Sequence, residues 1–137
     1  MAGGESSIMI AVGMIKERCM KVTSENTAEA VGSGTLPVFA TPEMILLIER
    51  AASECVMPEL QEGESSVGTL LNIGHTAPSL VGSEIICKVE LKEIDRARLV
   101  FDVVVSDGSG IIGSGTHERF IVKVDRFMSK AEERSSS

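Results

Sequence analysis

A carboxylate, an imidazole and a hydroxyl stand out as the residues able to do chemistry. Glu49 lies in a stretch running from Thr41 to Val56, where Met44, Leu47, Ile48, Ala51, Ala52 and Cys55 recur at helical spacing. Ile45, Leu46 and Val56 widen that apolar face, so the helix must be largely enclosed. Three and four positions from Glu49 stand Ile45, Leu46, Ala52 and Ser53, so no cation on its own helix pairs with it. A half-buried carboxylate costs free energy unless something uses it; the plain alternative is that it leans into water. His75 ends an alternating run with Val67, Thr69, Leu71 and Ile73 on its face, and an imidazole titrates in the range useful for general acid–base work. Thr41 opens the helix, where its hydroxyl either caps the first turn or orients a water, the carboxylate or the imidazole. Thr41 and Glu49 are eight residues apart, about 12 Å along a helix. Both can touch one small group only if Thr41 belongs to the preceding loop and bends back, or if the two come from different subunits.

The elements that position these groups are legible in outline. Pro42 at the first helical position, Glu43 in the first turn and Pro58 past the end delimit the helix. A first strand is expected over about 15–22, a turn over 23–27, and a short extended or helical piece over 28–31. Gly32-Ser33-Gly34-Thr35-Leu36-Pro37 then forms a flexible connector, or a lid, ahead of Val38-Phe39-Ala40. After an acidic turn at 59–64, four strands with hairpin-like spacing are expected at about 65–76, 83–94, 98–105 and 111–124. In the second of these Ile85, Cys87, Val89 and Leu91 align, and in the third Leu99, Phe101, Val103 and Val105. In the first, Gly68, Leu70, Asn72 and Gly74 take the face opposite His75, and Gly68 either lets a substrate approach closely or only marks a bulge in a curved sheet. In the last, His117, Arg119, Ile121 and Lys123 share a face, and the plain reading of His117 and Arg119 is that they only decorate a solvated one. The domain is expected to span 13–127, with a disordered or extended segment at 1–12 and a fraying polar tail at 128–137.

Composition bounds the classes of function. The chain has 137 residues, with 13 basic against 20 acidic and a formal charge of −7, which argues against non-specific nucleic-acid binding. Aromatic residues make up 3%, so the core must be built from Ile, Leu, Val and Met. Cys19, Cys55 and Cys87 show neither paired metal-ligand spacing nor a disulfide framework, so no metal and no cofactor are expected. No membrane span or signal peptide is read, and a reducing cytoplasm is the expected setting. One helix against a single antiparallel sheet gives an α+β layer that leaves one sheet face and its edges open, which favours a homodimer.

This order, a strand, a helix and then four strands, resembles the hotdog fold, a five-stranded antiparallel sheet wrapped around one central helix. Phe39-Ala40-Thr41, the helix with Glu49, Gly68-Thr69, Gly74-His75-Thr76-Ala77 and Gly113-Ser114-Gly115-Thr116-His117-Glu118-Arg119 together resemble the fluoroacetyl-CoA thioesterase family of hotdog acyl-CoA thioesterases. The likeness covers roughly residues 13–127. It implies a catalytic set of Thr41, Glu49 and His75, with Phe39, Gly68 and Arg119 at the substrate. It further implies hydrolysis of a short-chain acyl-CoA, with Glu49 as nucleophile or base, His75 as its acid–base partner and a backbone N–H near Gly68 at the developing oxyanion. The loop 32–36 lacks the Phe residues that close over the acyl group in the fluoroacetate-selective member, so selectivity for a fluorinated substrate is not expected. Two other readings stand beside this one. One is a hotdog dehydratase, for which no convincing hydration motif is present. The other is a non-catalytic module binding acyl-CoA or another small ligand.

Overall fold

The computed structural model describes residues 10–136. The element order is β1 (Ile15–Lys21), α1 (Ala28–Val31), α2 (Thr41–Val56), a 3-10 turn (Met57–Glu59), β2 (Glu64–His75), β3 (Glu84–Asp95), β4 (Arg98–Asp107), β5 (Gly110–Lys123) and α3 (Val124–Ser136). The strands form one antiparallel sheet in the order β1-β3-β4-β5-β2, which curves around α2 as the hotdog resemblance implies. β1 and β2 are thus the two edges.

The core lies between α2 and the concave face. Met44, Leu47, Ile48, Ala51, Ala52, Cys55 and Val56 of α2 are buried, and so are Ile85, Cys87, Val89 and Leu91 of β3 and Leu99, Phe101, Val103 and Val105 of β4. The period-2 patterns expected for these strands hold, because β3 and β4 are flanked on both sides and present one face to the helix. β1 is tied to the helix by the ion pair between Arg18 and Glu54.

Four departures from the sequence expectation matter. Thr41 does not cap α2: Ala40 is the N-cap, no side-chain oxygen caps the turn, and Pro42 at the start removes a donor that would need one. β2 carries a bulge between Gly68 and Leu70, one of the two readings of Gly68, and it reverses the face expected for Gly68 relative to His75. Ser66 and Gly68 therefore share the concave face with Leu71, Ile73 and His75, whereas Val67 and Thr69 fall outside that set. Third, His117 and Arg119 do not decorate a solvated face; they are 0% and 6% exposed. Finally, the residues expected to fray at 128–137 belong, as far as Ser136, to α3, an amphipathic helix with no buried residue that continues β5 without a loop. The expectation for 1–12 falls mostly on residues outside those described. Close approach of β5 and β2 depends on Gly115, whose φ is 150° and where a Cβ would stand 2.0 Å from the Asn72 carbonyl oxygen. No helix among the described residues is long and apolar enough to cross a membrane.

Candidate active site

The candidate site residues gather into two clusters, one at each end of α2. At the N-terminal end the Thr41 hydroxyl, freed from capping, lies 2.7 Å from His75 Nδ1. His75 is delivered by the last residue of β2, and Phe39 meets its ring edge-on with centroids 6.3 Å apart. Phe39 is itself fixed by bridges that tie the pre-helix segment to Thr27 and to the 79–80 loop. A cavity of about 310 Å³ opens here, lined by Phe39, Thr41, His75, Ala28, Ser33 and neighbouring residues. Burial holds the His75 pKa below the usual imidazole value, and the Ala77 backbone only partly reverses this. Its Nε2 is buried without a hydrogen-bond partner of acceptable geometry. An imidazole with one nitrogen held by a hydroxyl and the other short of a full partner among the described residues has hydrogen-bonding capacity to give to a bound group once the cavity wall around it opens.

The second cluster sits two turns along the helix. Glu49 faces Arg119, with Oε2 and Nη1 3.8 Å apart, and its side chain stays 40% exposed. Arg119 has no freedom to wander. Its Nε donates to Ser66 Oγ at 2.9 Å, its Nη2 to the Ser66 carbonyl at 3.0 Å, and its Nη1 stands 3.2 Å from His117 Nε2. His117 Nδ1 is 2.9 Å from the Leu70 carbonyl, which can only accept. That contact fixes the proton on Nδ1 and leaves Nε2 to accept from the guanidinium. Burial, with the Arg119 charge beside it, keeps His117 neutral by holding its pKa below the ordinary value, against the opposing pull of Leu70 and Glu49. Gly68 completes the cluster: a Cβ there would lie 2.5 Å from Glu49 Oε2 and 3.2 Å from both Arg119 Nη1 and His117 Cε1. The bulge is what turns Gly68 toward Glu49, and the missing side chain is what leaves room for the carboxylate. A second cavity of about 370 Å³, lined by Glu49, Arg50, Ser53, Glu54, Met57 and Arg119, opens over this cluster.

Within one chain Thr41 joins His75, and Glu49 joins Gly68 and Arg119; Thr41 and His75 line one cavity, Glu49 and Arg119 another. Because Thr41 is the first residue of α2, it does not bend back toward Glu49. Ser66 and His117 are the supporting residues that sequence reasoning misses. The only sign of them is the placement of two polar residues in strands whose inward parity a bulge conceals.

Fold and clusters together define a hotdog domain of the thioesterase type. Residues 22–125 match the fluoroacetyl-CoA-specific thioesterase family, FlK, and the chain belongs to that family. It is 37% identical over 98 residues to the fluoroacetyl-CoA thioesterase of Streptantibioticus cattleyicolor, spanning 72% of this chain and 70% of that protein. An FlK variant solved in complex with acetyl-CoA superposes with a TM-score of 0.85 at 30% identity, covering 91% of this chain and 98% of the other. A Thermus thermophilus hypothetical protein described as a thioesterase superfamily member superposes with a TM-score of 0.86 at 25% identity, covering 93% and 95%.

Proposed function

We propose that this protein is an acyl-CoA thioesterase that hydrolyses a short-chain acyl-CoA to the free acid and CoA, and that two copies of the chain build each site. Family membership supports the reaction class, and the acetyl-CoA complex of a relative supports the substrate class. The observation that carries the composite site is the split itself: a hydroxyl–imidazole pair and a carboxylate–guanidinium pair, each incomplete alone.

β2 offers the joint. It is an edge strand of 12 residues, and it carries both Gly68 and His75. An unpaired edge of this length invites a partner strand. If two β2 edges pair antiparallel about a twofold axis at Asn72, the extra residue Thr69 of the bulge brings His75 of one copy opposite Gly68 of the other, about 5 Å away across the ladder. Glu49 rests against Gly68, so that pairing carries the carboxylate to the imidazole of the second copy.

In the assembled site the Thr41 hydroxyl donates to His75 Nδ1, leaving Nε2–H to point at the thioester carbonyl oxygen. A neutral imidazole in that role polarises the carbonyl without needing to be charged. Glu49 takes a proton from water as the water oxygen bonds to the carbonyl carbon. The tetrahedral intermediate collapses with cleavage of the carbon–sulfur bond, and the proton held by Glu49 passes to the departing thiolate. Arg119, pinned by Ser66 and His117, keeps Glu49 aimed. The bulge withdraws the backbone around Gly68 from the regular ladder and supplies an N–H to the oxyanion. Phe39 walls the acyl pocket. The loop before α2 brings Leu36 and no aromatic, in keeping with a general short-chain preference. The setting proposed is the cytoplasm.

The test is release of free CoA from a panel of short and medium acyl-CoAs by wild type, Glu49→Gln and His75→Ala. Turnover by wild type and its loss in both folded variants supports the proposal. Saturable acyl-CoA binding with no CoA release by wild type would sink it in favour of a binding module.

A further inference from the structure

Where α3 follows β5 there is a groove of about 260 Å³ that neither cluster uses, lined by Ile121, Val122, Lys123, Arg126, Phe127 and Lys130. Half of these residues are cations and none is acidic, in a chain with a net charge of −7. Arg126 and Lys130 stand one turn apart on α3, and neither makes an ion pair among the described residues. Among the described residues Lys123 makes one ion pair, with Glu64 at 3.9 Å. Phe127 is 42% exposed beside them, whereas Phe39 and Phe101 are buried. Cations around an exposed aromatic ring suit a phosphorylated nucleotide: the charges meet phosphate oxygens and the ring offers a stacking face.

The groove also lies at a meaningful distance. Arg119, Ile121 and Lys123 alternate on one face of β5, and the register with β2 is unbroken from Arg119 to Lys123. Arg119 and Lys123 are four steps apart along the strand, about 13 Å. The pantetheine arm joining a thioester sulfur to the diphosphate of coenzyme A is roughly four residues' worth of chain, about 14 Å when extended. Building on the thioesterase reading, we infer that the groove between β5 and α3 binds the nucleotide end of coenzyme A. Its phosphates lie on Lys123, Arg126 and Lys130 and its adenine on Phe127, while the thioester reaches Glu49 of the same chain.

Two measurements on the full chain test this: calorimetric titration with adenosine 3′,5′-bisphosphate, and kcat/KM for acetyl-CoA relative to S-acetylpantetheine. The variants are Arg126→Glu with Lys130→Glu, and the milder Arg126→Gln with Lys130→Gln. All four changes are on an exposed helix face, and thermal melts confirm folding. The inference expects saturable bisphosphate binding by wild type that weakens with added salt. Charge reversal abolishes it and the neutral pair weakens it. The acetyl-CoA to acetylpantetheine ratio falls about tenfold or more through KM, the worth of one or two charge-assisted contacts. An unchanged ratio, or bisphosphate binding that is absent in wild type or indifferent to charge reversal, overturns the inference and leaves the thioesterase reading standing. If wild type hydrolyses neither thioester, that reading fails and the titration alone decides the nucleotide site.

Discussion

The two ends of α2 solve opposite electrostatic problems. At Thr41 and His75 no charged side chain lines the cavity, burial lowers the imidazole pKa, and the short contact is between a hydroxyl and a ring nitrogen. At Glu49 and Arg119 a full charge pair is held, and the cation is anchored by Ser66 and His117 so that its position owes little to the carboxylate. The first end supplies a titratable group whose Nε2 has no full hydrogen-bond partner among the described residues. The second supplies a fixed field. Each end is thus held by its own packing and hydrogen bonds before the two are brought together, so neither has to reorganise to meet the other.

The comparison can be broken at several points. Glu49→Gln removes the proton acceptor and keeps the shape, so kcat is expected to fall about 10²- to 10⁴-fold with little change in Tm, measured by free-thiol release and thermal melting. Arg119→Met should act mainly on the fold, because it strips the partner from buried Ser66 and His117. A loss of about 2–4 kcal/mol in urea denaturation is expected, together with lower activity. Gly68→Ala sharpens the same point: the new Cβ displaces the Glu49 carboxylate, a flexible end that can move. Activity should drop about tenfold or more while the denaturation midpoint moves little. A full loss of stability there would show that the glycine serves the backbone alone.

Acid pH probes both ends at once. His75 and His117 have folded-state pKa values below their unfolded ones, so the unfolded chain binds more protons once pH drops below about 6.5. Stability contributed by neutral burial is therefore present above that pH and is lost as pH falls toward the depressed folded values. Melts between pH 7.5 and 5 should show this decline, and His117→Gln should flatten part of it. The smallest effect is at the thiols. Cys87 is buried with its pKa pushed up to about 12, and Cys55 is buried and raised, whereas Cys19 is exposed. Alkylation of the native protein should label Cys19 alone.

Much of this arrangement is legible in the amino-acid sequence. α2 announces itself through Pro42, Pro58 and its apolar spacing, and β3 and β4 do so through unbroken alternation. What stays hidden has physical causes. The bulge at Gly68–Leu70 is a one-residue event that flips parity, and no residue pattern marks which side of it Gly68 faces. With β2 misphased, Arg119 and His117 on the paired strand read as solvated. Thr41 fits a cap by type, and only the His75 contact shows its hydroxyl is engaged elsewhere. α3 is polar enough to pass for a frayed tail, and its helix buries no side chain that would betray it.

The central claim is that one chain provides the Thr41–His75 half and another the Glu49 half. Subunit complementation tests it most directly. Equal amounts of inactive Glu49→Gln and His75→Ala chains are unfolded together, refolded together and assayed for acyl-CoA hydrolysis. Random pairing makes about half of the dimers mixed, with one intact site of two in each, so about a quarter of wild-type activity should return. If mixed dimers form and activity stays at the level of the separate variants, the two halves act within one chain and the composite site is wrong.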